Sequence, residues 1–172
     1  RALERAGIGA ATPDPAGGRI LRDARGRASG VLVDAATSLV AKVVPAPDRA
    51  VRKRRIAGGL RACAEGGLTA VHDAGVDFVG VSLYKELLAE GPLPVRAYVM
   101  VSGPDEFLAH PELRPEIGLG DGQLTVRSIK IVADGALGSR GALLLAPYSD
   151  EPAAKGLLTV DPARFRLVLQ RA

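Results

Sequence analysis

At 172 residues, with 47% hydrophobic and 24% charged side chains, the chain is long enough to bury one core and too apolar to be disordered. The net charge of +4 is modest, and the densest basic run, VRKRR at Val51–Arg55, has no interleaved aromatics and sits in a helical pattern. It reads as a solvated helix face, which excludes a nucleic-acid or membrane surface there. The single cysteine, Cys63, excludes an internal disulfide framework and fits a reducing, cytoplasmic compartment, and no apolar run reaches the roughly 18 residues of a membrane helix.

Arg1–Gly7 reads as the end of a helix and TPDPAGG as a turn-rich connector. GRILRDARGRASGVLVD, Gly18–Asp34, alternates on both sides of an Arg-Gly-Arg turn and predicts a β-hairpin in which Ile20 and Leu21 pair with the region Val31–Val33. From Pro47 to about Glu65 the pattern is helical, with Val51, Ile56, Leu60 and Cys63 near one face and a Gly-Gly stop. LTAVHDA (Leu68–Ala74) is a short strand and FVGVSLYKELLAEG (Phe78–Gly91) a helix. PVRAYVMV (Pro94–Val101) is a second strand, followed by a helical or irregular segment at EFLAHPEL, and LTVRSIKIVAD (Leu124–Asp134) is a third. A Gly/Pro-rich loop then runs to about Val160, and a last helix opens with Asp161 as N-cap and Pro162 at its first position. Both ends of the chain, RALERAG and FRLVLQRA, lie within helical patterns, so the sequence is read as truncated at each end.

The strands begin 26 residues (Leu68 to Pro94) and 30 residues (Pro94 to Leu124) apart, the size of a β/α unit. Alternating strands and helices predict a parallel sheet, either an open doubly wound one or part of a (β/α)₈ barrel, which as a whole takes about 250 residues. In the third strand Ile129, Ile131 and Ala133 point one way and Ser128, Lys130, Val132 and Asp134 the other. A sheet covered on both faces would bury Lys130 among apolar helices, whereas a barrel would aim it into the interior near the C-terminal mouth. Three uses of that lysine stay open on spacing alone. It can pair with Asp134 or Asp73, it can form a Schiff base, or it can add CO₂ to give a carbamate able to bridge divalent ions.

The runs TPDPAGGRILRDARGRASGVLVDAA, GGLTAVHDAG, IKIVADGALGSRGA and APYSDEPAAKGLL resemble the amidohydrolase superfamily, most of all its branch of metal-dependent hydrolases that includes N-substituted formamide deformylase. The resemblance spans nearly the whole chain in the right order. It implies an α/β fold, a partial (β/α)₈ TIM-like barrel covering about strands two to four. Residues 1–46 would be an insertion carrying the β-hairpin and residues 47–172 the barrel part. It implies that Lys130, on the fourth strand, is a metal ligand as a CO₂-derived carbamate. One or two divalent ions, zinc first among them, would lower the pKa of a bound water to about 7 for attack on an amide or other non-peptide C–N bond.

Under the same resemblance His72, Asp73, Asp134 and Arg140 are the candidates to touch substrate or orient ligands. The loop DGALGSRGA (Asp134–Ala142) becomes a mouth loop, with Tyr148, Ser149 and Asp150 packing it against the rim, in place of a phosphate cradle, for which it lacks the GxxxxGK[ST] order. The superfamily's HxH pair, its later histidines and its proton-shuttling aspartate are not in this sequence, and His110 lies in a surface-like loop. Because a zinc site needs at least three protein ligands, the chain alone is expected to be inactive. The expected partner is a small-molecule amide, with no nucleic acid and no membrane, and with room for a homo-oligomer. The competing readings are a lysine Schiff-base lyase and a non-catalytic, truncated interaction module.

Overall fold

Asp23 organises the first ladder. Its carboxylate accepts from the backbone N–H of Arg25 (2.9 Å) and Arg27 (3.0 Å) and from Arg27 Nε (2.9 Å), and Gly26 takes a positive φ to close the turn. The computed structural model describes the backbone of residues 1–172 and every side chain but that of Asp34. The chain divides into two units, Arg1–Asp48 and Arg49–Ala172.

The first unit holds α1 (Ala2–Arg5), β1 (Gly18–Arg22), β2 (Ala28–Asp34) and α2 (Thr37–Ala41). β1 and β2 pair antiparallel, with Ile20 opposite Leu32 as the alternation predicted. Ile8, Ile20 and Ala36 form a small core ringed by Leu3, Ala6, Leu32 and Leu39. Gly18 is required where it is, because a Cβ there would collide with the backbone of Ala35 and Ala36.

The second unit runs α3 (Arg49–Glu65), β3 (Ala70–Val76), α4 (Phe78–Glu90), β4 (Arg96–Ser102), α5 (Gly103–Ala109), β5 (Glu116–Gly118), the one-turn α6 (Leu119–Gly122), β6 (Leu124–Lys130), a 3₁₀ turn (Leu137–Ser139) and α7 (Pro162–Arg171). The sheet order is β3-β4-β6-β5, with β3, β4 and β6 parallel and in chain order and β5 joined antiparallel by the pair Glu116–Val126. β5 and α6 carry no sequence pattern: one is three residues long, and the other is left-handed at Gly120 and Asp121. β6 ends at Lys130, four residues short of the strand expected to reach Asp134, because Asp134 leaves the sheet to bridge Leu158 in the following loop.

Among the described residues of this unit, the helices pack on one face of the sheet. Leu60 of α3, Val81 and Tyr84 of α4, Phe107 of α5 and Val168 of α7 pack on Ala97, Val99 and Val101 of β4 and on Leu124 and Val126 of β6. On the other face His72, Ala74 and Lys130 are exposed. A doubly wound sheet is covered on both sides, so parallel strands in chain order with one helix layer are a (β/α)₈-type segment; the three parallel strands do not close into a barrel.

The faces are set by bulges. Val99 pairs with Val126 and Met100 with Ser128, which leaves Arg127 as an extra residue in β6. On the opposite edge Ala74 pairs with Met100 and Val76 with Val101, leaving Gly75, at φ 121°, as the extra residue in β3. Leu124 and Val126 before the bulge, and Ile129 and Ile131 after it, all face the helices.

Three basic residues of α3 reach carboxylates of α4 and its cap. Arg49 pairs with Glu86 and Arg52 with Asp77, while Lys53 Nζ reaches Glu86 (3.2 Å) and Glu90 (2.6 Å). Asp77 also caps α4, accepting from Gly80 N at 2.8 Å, and the Arg52 guanidinium holds its carboxyl below the usual carboxylate range. Because the folded-state pKa is lowered, the charge-dependent stabilisation is complete above the unfolded value of about 3.9 and is lost as pH falls through the folded value. Asp77→Ala is expected to cost about 1–2 kcal/mol at neutral pH. Asp77→Asn keeps the cap and is expected to cost less, its deficit vanishing in acid. Urea unfolding of the three proteins across pH checks this, and equal losses for Ala and Asn at all pH values would contradict it.

Candidate functional site

The C-terminal ends of β3, β4 and β6 open on a cavity of about 560 Å³, lined by Ala74, Gly75, Ser102, Lys130, Val132 and Thr159 among others. Lys130 is exposed there, with Ser102 of β4 as its register partner. Among the described residues no ion pair involves it, and both carboxylates named as alternatives are committed elsewhere.

Asp73 is one of them. It turns to the helix layer, where its Oδ2 accepts from Tyr84 Oη at 2.8 Å. Burial, reinforced by that bond, pushes the Tyr84 phenol far above its ordinary value. Asp73 therefore braces β3 against α4 and does not line the mouth. His72, its neighbour, lies on the open face, stacked on Tyr98 with centroids 4.9 Å apart and with Arg127 on the far side of that ring, Nε to Oη 3.3 Å. His72 and Tyr98 are register partners, and Tyr98 precedes Ser102 by four residues, so this layer sits about 13 Å down the strand from the Lys130 level. The structure does not bring His72 and Lys130 together.

The other committed carboxylate, Asp134, accepts from Leu143 N at 3.0 Å through Oδ2. Arg140 has a left-handed backbone (φ 59°), and its guanidinium donates to Asp150 at 2.8 Å, which holds the Asp150 carboxyl low. Both residues anchor the loop. The close approaches that its glycines allow are between parts of the loop itself: a Cβ on Gly135 would meet the Gly141 backbone at 2.6 Å. Tyr148 is buried and donates to Ala142 O at 2.9 Å, a bond within the loop itself. His110 stacks flat on Phe78, with centroids 3.9 Å apart, approaches Glu106 and Glu112, and does not line the mouth cavity.

Among the described residues no group of three or more His, Cys, Asp or Glu side chains is placed to hold a metal ion. Lys130 faces the cavity with no hydrogen-bond or ion-pair partner among the described residues.

An open-faced parallel segment with a lysine at its C-terminal mouth is the class of site that barrel hydrolases build. The chain belongs to the amidohydrolase family, whose pattern it matches over residues 1–172. It is 32% identical over 179 residues to the amidohydrolase candidate YtcJ of Bacillus subtilis (strain 168), an alignment covering 99% of this chain and 32% of that protein. It is 28% identical to LONG AFTER FAR-RED 3 of Arabidopsis thaliana, over 95% of this chain and 30% of that one. The chain thus spans about a third of the length of these relatives. Crystal structures of uncharacterized metal-dependent hydrolases from Pyrococcus furiosus and Pyrococcus horikoshii OT3 superpose with TM-scores of 0.71 and 0.72 at 22% identity, each over 99% of this chain and 34% and 33% of theirs, and share its fold.

If Asp73 is a brace, Asp73→Asn keeps an acceptor for Tyr84 and is expected to change stability by less than about 1 kcal/mol. Tyr84→Phe strips the carboxylate of its partner and is expected to cost about 1–3 kcal/mol. Thermal unfolding decides, and a Tyr84→Phe protein as stable as the parent would contradict the bracing role.

Proposed function

We propose that this chain is the part of a metal-dependent amidohydrolase that supplies a carboxylated Lys130, and that the full-length protein hydrolyses an amide or another non-peptide C–N bond of a small molecule. The observation that carries the reading is the position of Lys130: exposed, without an ion-pair partner among the described residues, and at the C-terminal mouth of the open sheet face. It lies inside IKIVADGALGSRGA, a run that resembles the formamide-deformylase-like branch.

In the neutral state the Nζ lone pair attacks the carbon of CO₂, one C–O π pair moves onto oxygen, and a proton leaves Nζ for solvent. The carbamate that results is an anion with two oxygen donors. A divalent ion held there, most simply zinc and singly or as a pair, supplies polarisation of the substrate carbonyl and an acidified water. A carboxylated Lys130 would hold the ion by its negative charge and oxygens, Val132 and Thr159 wall the cavity beside it, and the remaining ligands would come from outside the donor set of this segment. With one donor, residues 1–172 alone do not catalyse.

The partner is then a small-molecule amide. Arg52 and Lys53 of the α3 basic run pair with carboxylates at Asp77, Glu86 and Glu90, and the run has no interleaved aromatics, which supports leaving nucleic acid and membrane surfaces out, and the single thiol fits a cytoplasmic setting. An exposed lysine lacks the apolar enclosure that activates Schiff-base lysines, so the lyase reading loses ground.

Metal analysis of the full-length protein, with hydrolysis of N-substituted formamides and other amides, tests this. Lys130→Ala is expected to lose metal about tenfold or more and activity with it, and a chelator to abolish hydrolysis in the parent. Undiminished metal in Lys130→Ala, or borohydride trapping of a Lys130–substrate adduct, would overturn it.

A further inference from the structure

Ser102 occupies the N-cap position of α5, but Gly103 after it is left-handed (φ 61°), Pro104 has no N–H to offer, and the Ser102 hydroxyl makes no capping hydrogen bond. Its side chain lies on the open face, since Ala97, Val99 and Val101 alternate into the helix layer. It is the register partner of Lys130 across the β4/β6 ladder, and both residues line the same cavity. Both side chains border the space over Gly75, where a Cβ would lie 3.9 Å from Ser102 Oγ and 4.0 Å from Lys130 Cγ. A hydroxyl in that place, spending neither its proton nor its lone pairs on the helix, has the neighbouring lysine as its natural partner.

We propose that Ser102 is the positioning residue for Lys130. Towards the amine the hydroxyl accepts from Nζ; towards the carbamate it donates to a carboxylate oxygen, fixing the anion in one orientation and favouring the carboxylated form. The assignment rests on the carbamate reading of Lys130. It adds that this chain's own β4, and not a distant segment, orients the group, in the way that ligand-orienting hydrogen bonds tune metal sites generally.

The test uses the full-length protein and its Ser102→Ala and Ser102→Thr variants. The readouts are carbamate occupancy by ¹³C NMR after equilibration with labelled bicarbonate, metal retained on dialysis, and the melting temperature of the metal-free form. Ser102→Ala is expected to leave the metal-free melting temperature unchanged, to need more CO₂ for equal occupancy and to weaken metal retention about 10- to 100-fold, with Ser102→Thr restoring both. Parent-like occupancy and metal retention in Ser102→Ala overturn the assignment alone, and a lowered melting temperature with unchanged occupancy makes Ser102 a structural cap. No carbamate signal in the parent overturns the carbamate reading and this assignment with it.

Discussion

The mouth of this sheet depends on one extra residue in β6. A regular strand would send Leu124, Val126, Ser128 and Lys130 to the same side, and Leu124 and Val126 are fully packed against the helices. Lys130 would then enter an apolar layer, where an unpaired ammonium costs several kcal/mol. Arg127, left unpaired between Val126 and Ser128, absorbs one residue of register and flips the phase. Ile129 and Ile131 take over the inward positions, and Lys130 emerges opposite Ser102. Gly75 does the same for β3 at the same height, so the outer strands both step against β4 and the three mouths stay level.

The two faces of the sheet are thereby given different work. On the helix side, β4 and β6 bury an aliphatic layer, Tyr84 ties Asp73 of β3 to α4, and Arg52 and Lys53 of α3 pair with Asp77 and Glu86 at the α4 side. On the open side, a stacked His72–Tyr98 pair with Arg127 beside it occupies the lower level, and Lys130 with Ser102 the upper one. The order of levels matters chemically. A histidine at the lower level is a poor companion for a carbamate about four strand residues higher, and its stacking supports the strand stem instead.

Much of this was legible from the sequence. The β/α rhythm, the hairpin around Gly26 and the Asp161–Pro162 helix start follow from periodicity and capping chemistry that act over a few residues, and local alternation separated Lys130 from Ile129 and Ile131. The resemblance of the IKIVADGALGSRGA run pointed to the family that the whole chain matches. What escaped depends on partners far along the chain. Asp73 could be sent to the helix side only by knowing that Tyr84 waits there, and Asp134 left its strand for Leu143 and Leu158. The bulge at Arg127 leaves no compositional mark, since no glycine accompanies it and it shows only in the register with β4. Ser102 carried no sequence signal, since its place opposite Lys130 shows only in the β4/β6 register.

The most direct measurement is thiol labelling of three single-cysteine proteins, Ile129→Cys, Lys130→Cys and Ile131→Cys, each in a Cys63→Ser background under native conditions. With the phase set by Arg127, position 130 reacts rapidly while positions 129 and 131 are protected. Rapid modification at 129 or 131, with 130 slow, would put the lysine on the helix side and contradict the site built around it.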